Sequence, residues 1–578
     1  MRSKENRGMM VLLFVIIILF VVFIVLYQNE RIRVELPDTL SKNVTMSNWS
    51  LENSSGNGRP IEEDKSIYET DNTIYDTYIS IFPTKDENGE LIDFSAFGKH
   101  QARDHDYNPT LNSNIQIVEE GGVLDPLLNL DFTNSTIRVR GNSSRGDTYK
   151  SYKVKLDEET GGFLGQTSLN LNKHSEDHSK ITTKFCTDVI RHIDHLVSYR
   201  TNFMRVWIRD TSLPEDEQEY EYYGLFTHIE QPNKSFLEVR GLSSNCQMYK
   251  ARNFGFSVTE AMKNVDDPDY SQDEFELELG IREGESHQKL IEMLEVLNDP
   301  TSNFEDVMDT YFNEDNYVTW LAFSLLMGAD DILNHNFILY SPKNIKTWYF
   351  IPWDFDSNLS PVSKRDHMPV SLRGGQKLNQ VILHRRFFRV PGNLEKIQTR
   401  MKELMDNHLS EDDIKEVTQP YTDILEKTMM LEPDLSLLRF EPNELLPYIE
   451  NFPTMIKENY SESLEAFEYP APMFVSKPER TEDNKIRLSW DNSYSYQGRT
   501  ITYNVIIAND YSMNNILFEE RGIAKNEIYV ELGLEPGTYY LKVTAEDSEG
   551  NEQLSLEHYE FAGDIFIYES GVLEFTLE

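Results

Sequence analysis

The stretch HNFILYSPKNIKTWYFIPWDFD, His335–Asp356, holds two apolar runs, a turn and two closing carboxylates. NFILY and TWYFIPW are rich in the aromatic and β-branched residues that strands favour, and SPKN between them is turn chemistry, so the stretch predicts a β-hairpin. Just upstream, NYVTWLAFSLLMG reads as a largely apolar helix that Gly328 would end, its Met and aromatic side chains serving as core. A hairpin leaving the loop after that helix must return its second strand to the same loop. Asp354 and Asp356 are therefore expected beside Asp331 and Asn336 of GADDILNHN. In an extended chain residues i and i+2 share one face, so the two acids would address one cation.

That set of residues suits one chemistry in particular. Phosphoryl transfer between anions needs metal ions on the phosphates, a carboxylate near the accepting hydroxyl, and a second metal ligand fixed nearby. Asp331 and Asn336 have the D-x-x-x-x-N spacing of a protein-kinase catalytic loop, and the helix, Asp loop, two strands and acidic tripeptide follow the same order. Phe355 lies between the acids as in DFG, with Asp356 in place of the glycine. His335 has no second histidine at ligand spacing, which favours a structural hydrogen bond. His228 and Glu230 share a strand face, consistent either with the same cleft or with a satisfied half-buried pair.

Composition narrows the partners. Lys and Arg number 55 against 98 Asp and Glu, a net charge of −43 over 578 residues, which opposes broad attraction to nucleic acid and admits a nucleotide triphosphate only with cations to screen it. Basic protein partners fit better. Two cysteines, Cys186 and Cys246, exclude a disulfide framework and a cysteine-rich zinc site, leaving one disulfide or two buried thiols.

Five regions are expected along the chain. Residues 1–8 are a basic flank. Residues 9–27, MMVLLFVIIILFVVFIVLY, are uncharged and long enough to span a bilayer, which predicts a single-pass anchor with the bulk of the chain outside the cytoplasm. Residues 28–75 read as a polar linker. Residues 76–468 read as an α+β domain, with β-type runs such as TYISIFP, NIQIVEE, STIRVRG and SYKVKLD, then helical spacing in KITTKFCTDVIRHIDHL, HQKLIEMLEVLND and NLEKIQTRMKELMDNHL. The early strands are expected to form a mixed or antiparallel sheet, with FMRVWIRD and EYYGLFTHIEQ as a hairpin. Residues 469–578 alternate at period two in KIRLSWD, TYNVIIA and TYYLKVTAED and predict an all-β sandwich with a tail. Trp490 and LEPGTYYLKVTAEDSEGN make this part resemble a fibronectin type III domain, a spacer or protein-binding module.

RVRGNSSR with YKSYKVKL, YYGLFTHIEQPNKSFL, DDILNHNFILY and IPWDFD together resemble the CotH kinase family, whose founding member is a spore coat protein, over about Tyr75 to Pro470. The resemblance implies an atypical protein-kinase-like α+β fold and transfer of the ATP γ-phosphate, with Mg²⁺ or Mn²⁺, to serine or threonine of a protein, basic or Ser-rich given the charge. It implies Asp331 as base or metal-organising residue, Asn336 as metal ligand, Asp354 as counterpart of the DFG ligand and Asp356 as its helper. Lys150 would neutralise ATP phosphates, Glu230 would orient that lysine or bind metal, and Arg140 would support the nucleotide loop. GNSSRG, Gly141–Gly146, lacks the lysine of a Walker motif, in keeping with a family that has no ordinary glycine-rich loop. The competing expectations are a non-catalytic adhesion or envelope-organising protein on the same fold and a metal-dependent hydrolase.

Overall fold

The computed structural model describes residues 60–69, 73–86, 88–123, 132–174, 177, 179–329, 332–360, 369–438, 441–562 and 566–577. Seven strands, Tyr75–Phe82 (β1), Leu111–Glu119 (β2), Ser135–Arg140 (β3), Ser151–Leu156 (β4), Ser168–Asn172 (β5), Thr201–Asp210 (β6) and Glu221–Glu230 (β7), form a closed barrel in the order β1-β2-β3-β4-β5-β7-β6. Alternation closes it. Ile137, Val139, Val154, Leu169, Leu171, Met204 and Val206 are almost fully buried in one core, each contributing roughly 1.5–3 kcal/mol by leaving water. Their neighbours Arg138, Arg140 and Lys153 point the other way and stay partly exposed. The expected mixed or antiparallel sheet is mixed and closes into a barrel, because β1 pairs antiparallel with β2 and parallel with β6 (Tyr75 opposite Met204). The expected hairpin of the sixth and seventh strands is present, with Thr201 opposite Ile229.

A second sheet holds Cys246–Ala251 (β8), Leu279–Glu283 (β9), Phe337–Pro342 (β10) and Tyr349–Pro352 (β11) in the order β9-β8-β10-β11, all antiparallel. One face packs on the barrel through Tyr199, Ile229, Phe236, Met248, Ile338 and Ile351. Helices Thr182–Ile190 (α1), Glu314–Leu326 (α2), Ile382–Arg389 (α3) and Phe452–Ala466 (α4) build the largest core on its other side. Lys173 after β5 pairs with Asp434 of this helical region at 2.6 Å, both side chains buried, and Asp434 also accepts from the Leu225 amide at 2.7 Å. Cys186 and Cys246 are buried free thiols.

After α4 the chain forms two sheets around a separate core. Ile486–Ser489 (β12) pairs with Glu527–Val530 (β15), and the other sheet runs Ile516–Ile523 (β14), Ile501–Ala508 (β13), Gly537–Asp547 (β16), Glu552–Leu554 (β17), with Val572–Leu577 (β18) pairing the first half of β16 on the same edge as β17. Trp490, Val505, Leu541 and Val543 fill the space between them. The sandwich is present; its likeness to fibronectin type III rests on the sequence alone.

Two expectations change. The fold class read from the sequence began with a transmembrane helix, and that element is corrected: no helix among the described residues is long and apolar enough to cross a membrane, and Met9–Tyr27 lies outside them. The architecture described is a mixed α/β barrel and sheet followed by the sandwich. The linker expected through residue 75 also contains docked residues, since Ile61 and Tyr68 are buried and Glu63 pairs with the buried Arg240 at 3.3 Å. A few apolar residues within a polar stretch are enough to attach it.

Candidate active site

The hairpin is held from below by α2. Asn313 caps the helix by accepting the Asn316 amide, and the Asn316 side chain donates to the Phe350 carbonyl at 3.0 Å and accepts the Phe350 amide at 2.6 Å. Trp320 of the same helix stacks on Phe350 with ring centroids 4.4 Å apart. Gly328 ends the helix region with φ +66°, and a Cβ there would lie 2.9 Å from the Asn459 amide nitrogen, so the turn requires glycine on both counts. The loop then passes Asp331, which lies outside the described residues, and is pinned by the Phe254 amide donating to the Asn334 carbonyl at 2.7 Å.

Phe337 pairs with Pro352, and the Trp353 amide donates to the Asn336 carbonyl at 3.2 Å. Asn336 and Asp354 therefore flank the same end of the hairpin. Both are left-handed, with φ +62° and +60°, a conformation that short polar side chains tolerate best and that concentrates at functional sites. The extended-chain argument for Asp354 and Asp356 therefore fails at its first residue. Phe355, buried against Phe323 at 5.9 Å, instead anchors the tripeptide and leaves the half-buried acids on either side of it.

Two basic side chains, Arg140 and Lys250, act on those acids, and Arg282 and Lys153 lie beside them. Burial lowers the Arg140 guanidinium to about 10, with Asp354 and Asp356 opposing the shift and Arg282 adding to it. Burial likewise pushes the Lys250 ammonium down to about 8 against the pull of Asp354, with Arg282, Arg140 and Arg252 pushing the same way. Lys153 falls to about 8 through burial and then Arg138, Arg140 and Arg282. Arg282 is lowered by burial and by Arg252, and its buried Nε has no hydrogen-bond partner. Lys153 donates to Gln231 at 3.3 Å, and Lys250 lies 5.1 Å from the centroid of the Trp353 ring. Within a chain of net charge −43, this is a local excess of positive charge over two carboxylates, with a donor left idle. Such an arrangement is stable only at a cost that an anion removes.

Of the residues expected at the site, Arg140, Asn336, Asp354 and Asp356 lie at this cleft. Lys150 does not address it: its buried ammonium donates to the Arg145 carbonyl at 2.7 Å and closes the GNSSRG turn. Glu230 is committed elsewhere, between Arg200 and Arg240 in a buried cluster, with Arg240 2.6 Å away. His335 bonds the Asn334 side chain at 2.7 Å. His228 is buried against Phe163, burial pushing its imidazole down to about 3. Sequence reading missed Lys153, Lys250 and Arg282. Lys153 was visible as the polar partner in the alternation of SYKVKL; the other two lie on β8 and β9, and only the sheet order carries them to the hairpin.

The donor set fits a hard divalent cation with a polyphosphate. Asp354, Asp356 and Asn336 offer oxygen ligands and the basic residues offer phosphate contacts. Among the described residues no three His, Cys, Asp or Glu side chains cluster as a metal site.

Comparison with known proteins comes from three directions. No curated protein sequence matches the chain. The crystal structure of a Helicobacter pylori proinflammatory kinase, CtkA, aligns at 9% identity over 59% of this chain and 95% of that one, with a TM-score of 0.24. The family model described as CotH kinase protein matches residues 137–460, more than half of the chain, from within β3 through the hairpin and into α4: this chain belongs to the CotH kinase family.

Proposed function

We propose that the chain is an ATP-dependent protein kinase that phosphorylates serine or threonine in protein acceptors. The observation that carries the reading is the placement of Arg140 and Lys250 against the Asp354–Asp356 end of the hairpin, with Lys153 and Arg282 beside them. These four side chains hold the phosphates of ATP. Asn336, Asp354 and Asp356 would hold Mg²⁺ or Mn²⁺, which neutralises charge on the phosphates when bound. Asp331 takes the proton of the acceptor hydroxyl as its oxygen bonds to the γ-phosphorus; the bond from that phosphorus to the bridging oxygen breaks and ADP leaves. The net charge of −43 favours basic acceptors.

The test is transfer from γ-labelled ATP to serine-containing proteins with Mg²⁺ or Mn²⁺, beside Asp331→Ala and Asp354→Ala. Neither nucleotide binding nor transfer with either metal would sink the reading. A second reading, a binding protein that keeps the fold without the reaction, draws on the C-terminal region, where Phe561, paired with Ile567, and Phe566, paired with Ala562, are both exposed. Partner capture that survives Asp354→Ala unchanged, with no transfer, would favour it.

A further inference from the structure

We propose that Tyr199 is a positioning residue of the cleft: its ring holds Trp353, and with it the Asp354 corner, while a buried ion cluster that Glu63 completes holds Tyr199. The inference rests on the kinase reading only where it names metal and phosphate transfer. Trp353 is the link to the cleft, since it precedes Asp354 in the chain and its ring centroid lies 5.1 Å from the Lys250 ammonium. Its indole nitrogen is buried with no hydrogen-bond partner among the described residues, so ring contacts fix its orientation. Tyr199 makes such a contact edge-on, with ring centroids 5.1 Å apart and planes at 75°, and both rings are buried in one core with Ile351 of β11. Asp354 is left-handed at φ +60°, a conformation that a non-glycine residue keeps only where its surroundings hold it. Phe355 fixes one side of that corner through Phe323, and Trp353 fixes the other through Tyr199.

Tyr199 is itself set from behind. Carboxylates clamp the backbone on either side of it, the Ser198 amide donating to Glu63 at 3.4 Å and the Arg200 amide to Glu230 at 3.2 Å. The buried Arg240 lies between these acids, 3.3 Å from Glu63 and 2.6 Å from Glu230, and donates to the Ser198 carbonyl at 2.9 Å. Its guanidinium also lies 3.8 Å from the ring centroid of Phe236, of the short helix Lys234–Val239, on which Tyr199 stacks at 5.1 Å. Tyr68 donates to Glu63 at 2.6 Å, so the N-terminal segment supplies both an acid and the phenol that orients it. Each member of such a cluster matters, because removing one strands the charge of its partner away from water. The Tyr199 hydroxyl is buried with no partner among the described residues, so the ring alone carries the contact to Trp353 and phenylalanine can supply it.

The experiment uses the full chain carrying Tyr199→Leu, Tyr199→Phe or Glu63→Gln. In Tyr199→Leu, amide hydrogen exchange over residues 349–356, which hold β11 and the corner, should quicken by about tenfold, the upper end of what one aromatic pair supports. The Mn²⁺ concentration giving half-maximal transfer should rise by about fivefold, because Asp354 is a metal ligand in that reading; a loss of folded chain alone would lower the rate without moving this midpoint. Tyr199→Phe should restore both readouts, and Glu63→Gln should shift both in the same direction by about threefold. Unchanged exchange in Tyr199→Leu overturns the proposal, and so does faster exchange with an unmoved Mn²⁺ midpoint or a Tyr199→Phe chain as impaired as Tyr199→Leu. Glu63→Gln at wild-type values overturns the part given to the ion cluster. If Tyr199→Leu does not fold, Glu63→Gln decides by the same two readouts. A wild-type chain that transfers no phosphate refutes the kinase reading instead, and the exchange data still decide whether Tyr199 sets the corner.

Discussion

Raising the pH should loosen nucleotide binding while it relieves strain in the empty cleft, and the opposed signs follow from two lysines. In the folded chain Lys153 and Lys250 titrate at about 8, below their ordinary value, chiefly because burial and the neighbouring guanidinium groups disfavour the charged form. A polyphosphate between them favours the charged form, so binding takes up protons. An ammonium with a pKa of about 8 is about nine-tenths charged at about pH 7 and about one-tenth charged at about pH 9, which costs about tenfold in anion affinity, or about 1.4 kcal/mol, per lysine. Stability moves the other way. The unfolded lysine binds more protons than the folded one between about pH 8 and about pH 10.5, so these residues make the empty protein more stable as pH rises through that window, and their penalty is fully present below it. The assay is titration calorimetry with ADP at a series of pH values, in buffers of different ionisation heat, on the wild type and on Lys250→Gln. The wild type should show net proton uptake near pH 8, and the variant should bind more weakly at neutral pH with a shallower pH slope. A flat profile, or a variant whose slope matches the wild type, would refute the placement of Lys250 on the phosphates.

Further outcomes follow from the same geometry. Asp354→Ala removes the carboxylate that opposes the cleft's positive charge, so ADP without metal should bind a few-fold more tightly while phosphate transfer falls by about a thousandfold, read by calorimetry and label incorporation. Gly224→Ala places a Cβ 2.1 Å from Lys173 Nζ and 2.6 Å from an Asp434 oxygen at φ +102°, and breaking that buried pair should cost about 3–5 kcal/mol in denaturant unfolding. Ile137→Ala, in the barrel core, should cost about 2–5 kcal/mol by the same measurement without altering the pH slope of ADP binding.

The local pieces of this architecture were legible because they are written in short-range periodicity. SYKVKL alternates with Tyr152, Val154 and Leu156 inward, and the strand Ser151–Leu156 follows. The hairpin of β10 and β11 was readable from NFILY, SPKN and TWYFIPW, and its return brings Asp354 to Asn336. What could not be read was long-range pairing. Nothing near Tyr75 announces Met204 as its neighbour, so the sheet was expected but its closure into a barrel was not. The basic set at this end of the hairpin draws on four strands of two sheets, which is why Lys250 and Arg282 went unseen and Lys150, in a more suggestive motif, was chosen instead. Its ammonium is spent on the Arg145 carbonyl, a turn contact that no spacing rule reveals. The transmembrane element came from hydropathy alone, and it belongs to residues outside those described.

The parallel seam between β1 and β6 also orders events during synthesis. Asp76 and Arg205 clasp across it at 2.6 Å, 129 residues apart. A ribosome that has delivered β1 to β5 has made a sheet with no closing partner, and one edge of β1 stays open to stray pairing until Thr201–Asp210 has emerged. Ring closure then waits for Glu221–Glu230, which joins β5 to β6, so this region should fold as a single slow step governed by a long loop, and nascent chains stopped before residue 230 are the form most exposed to chaperones and to one another.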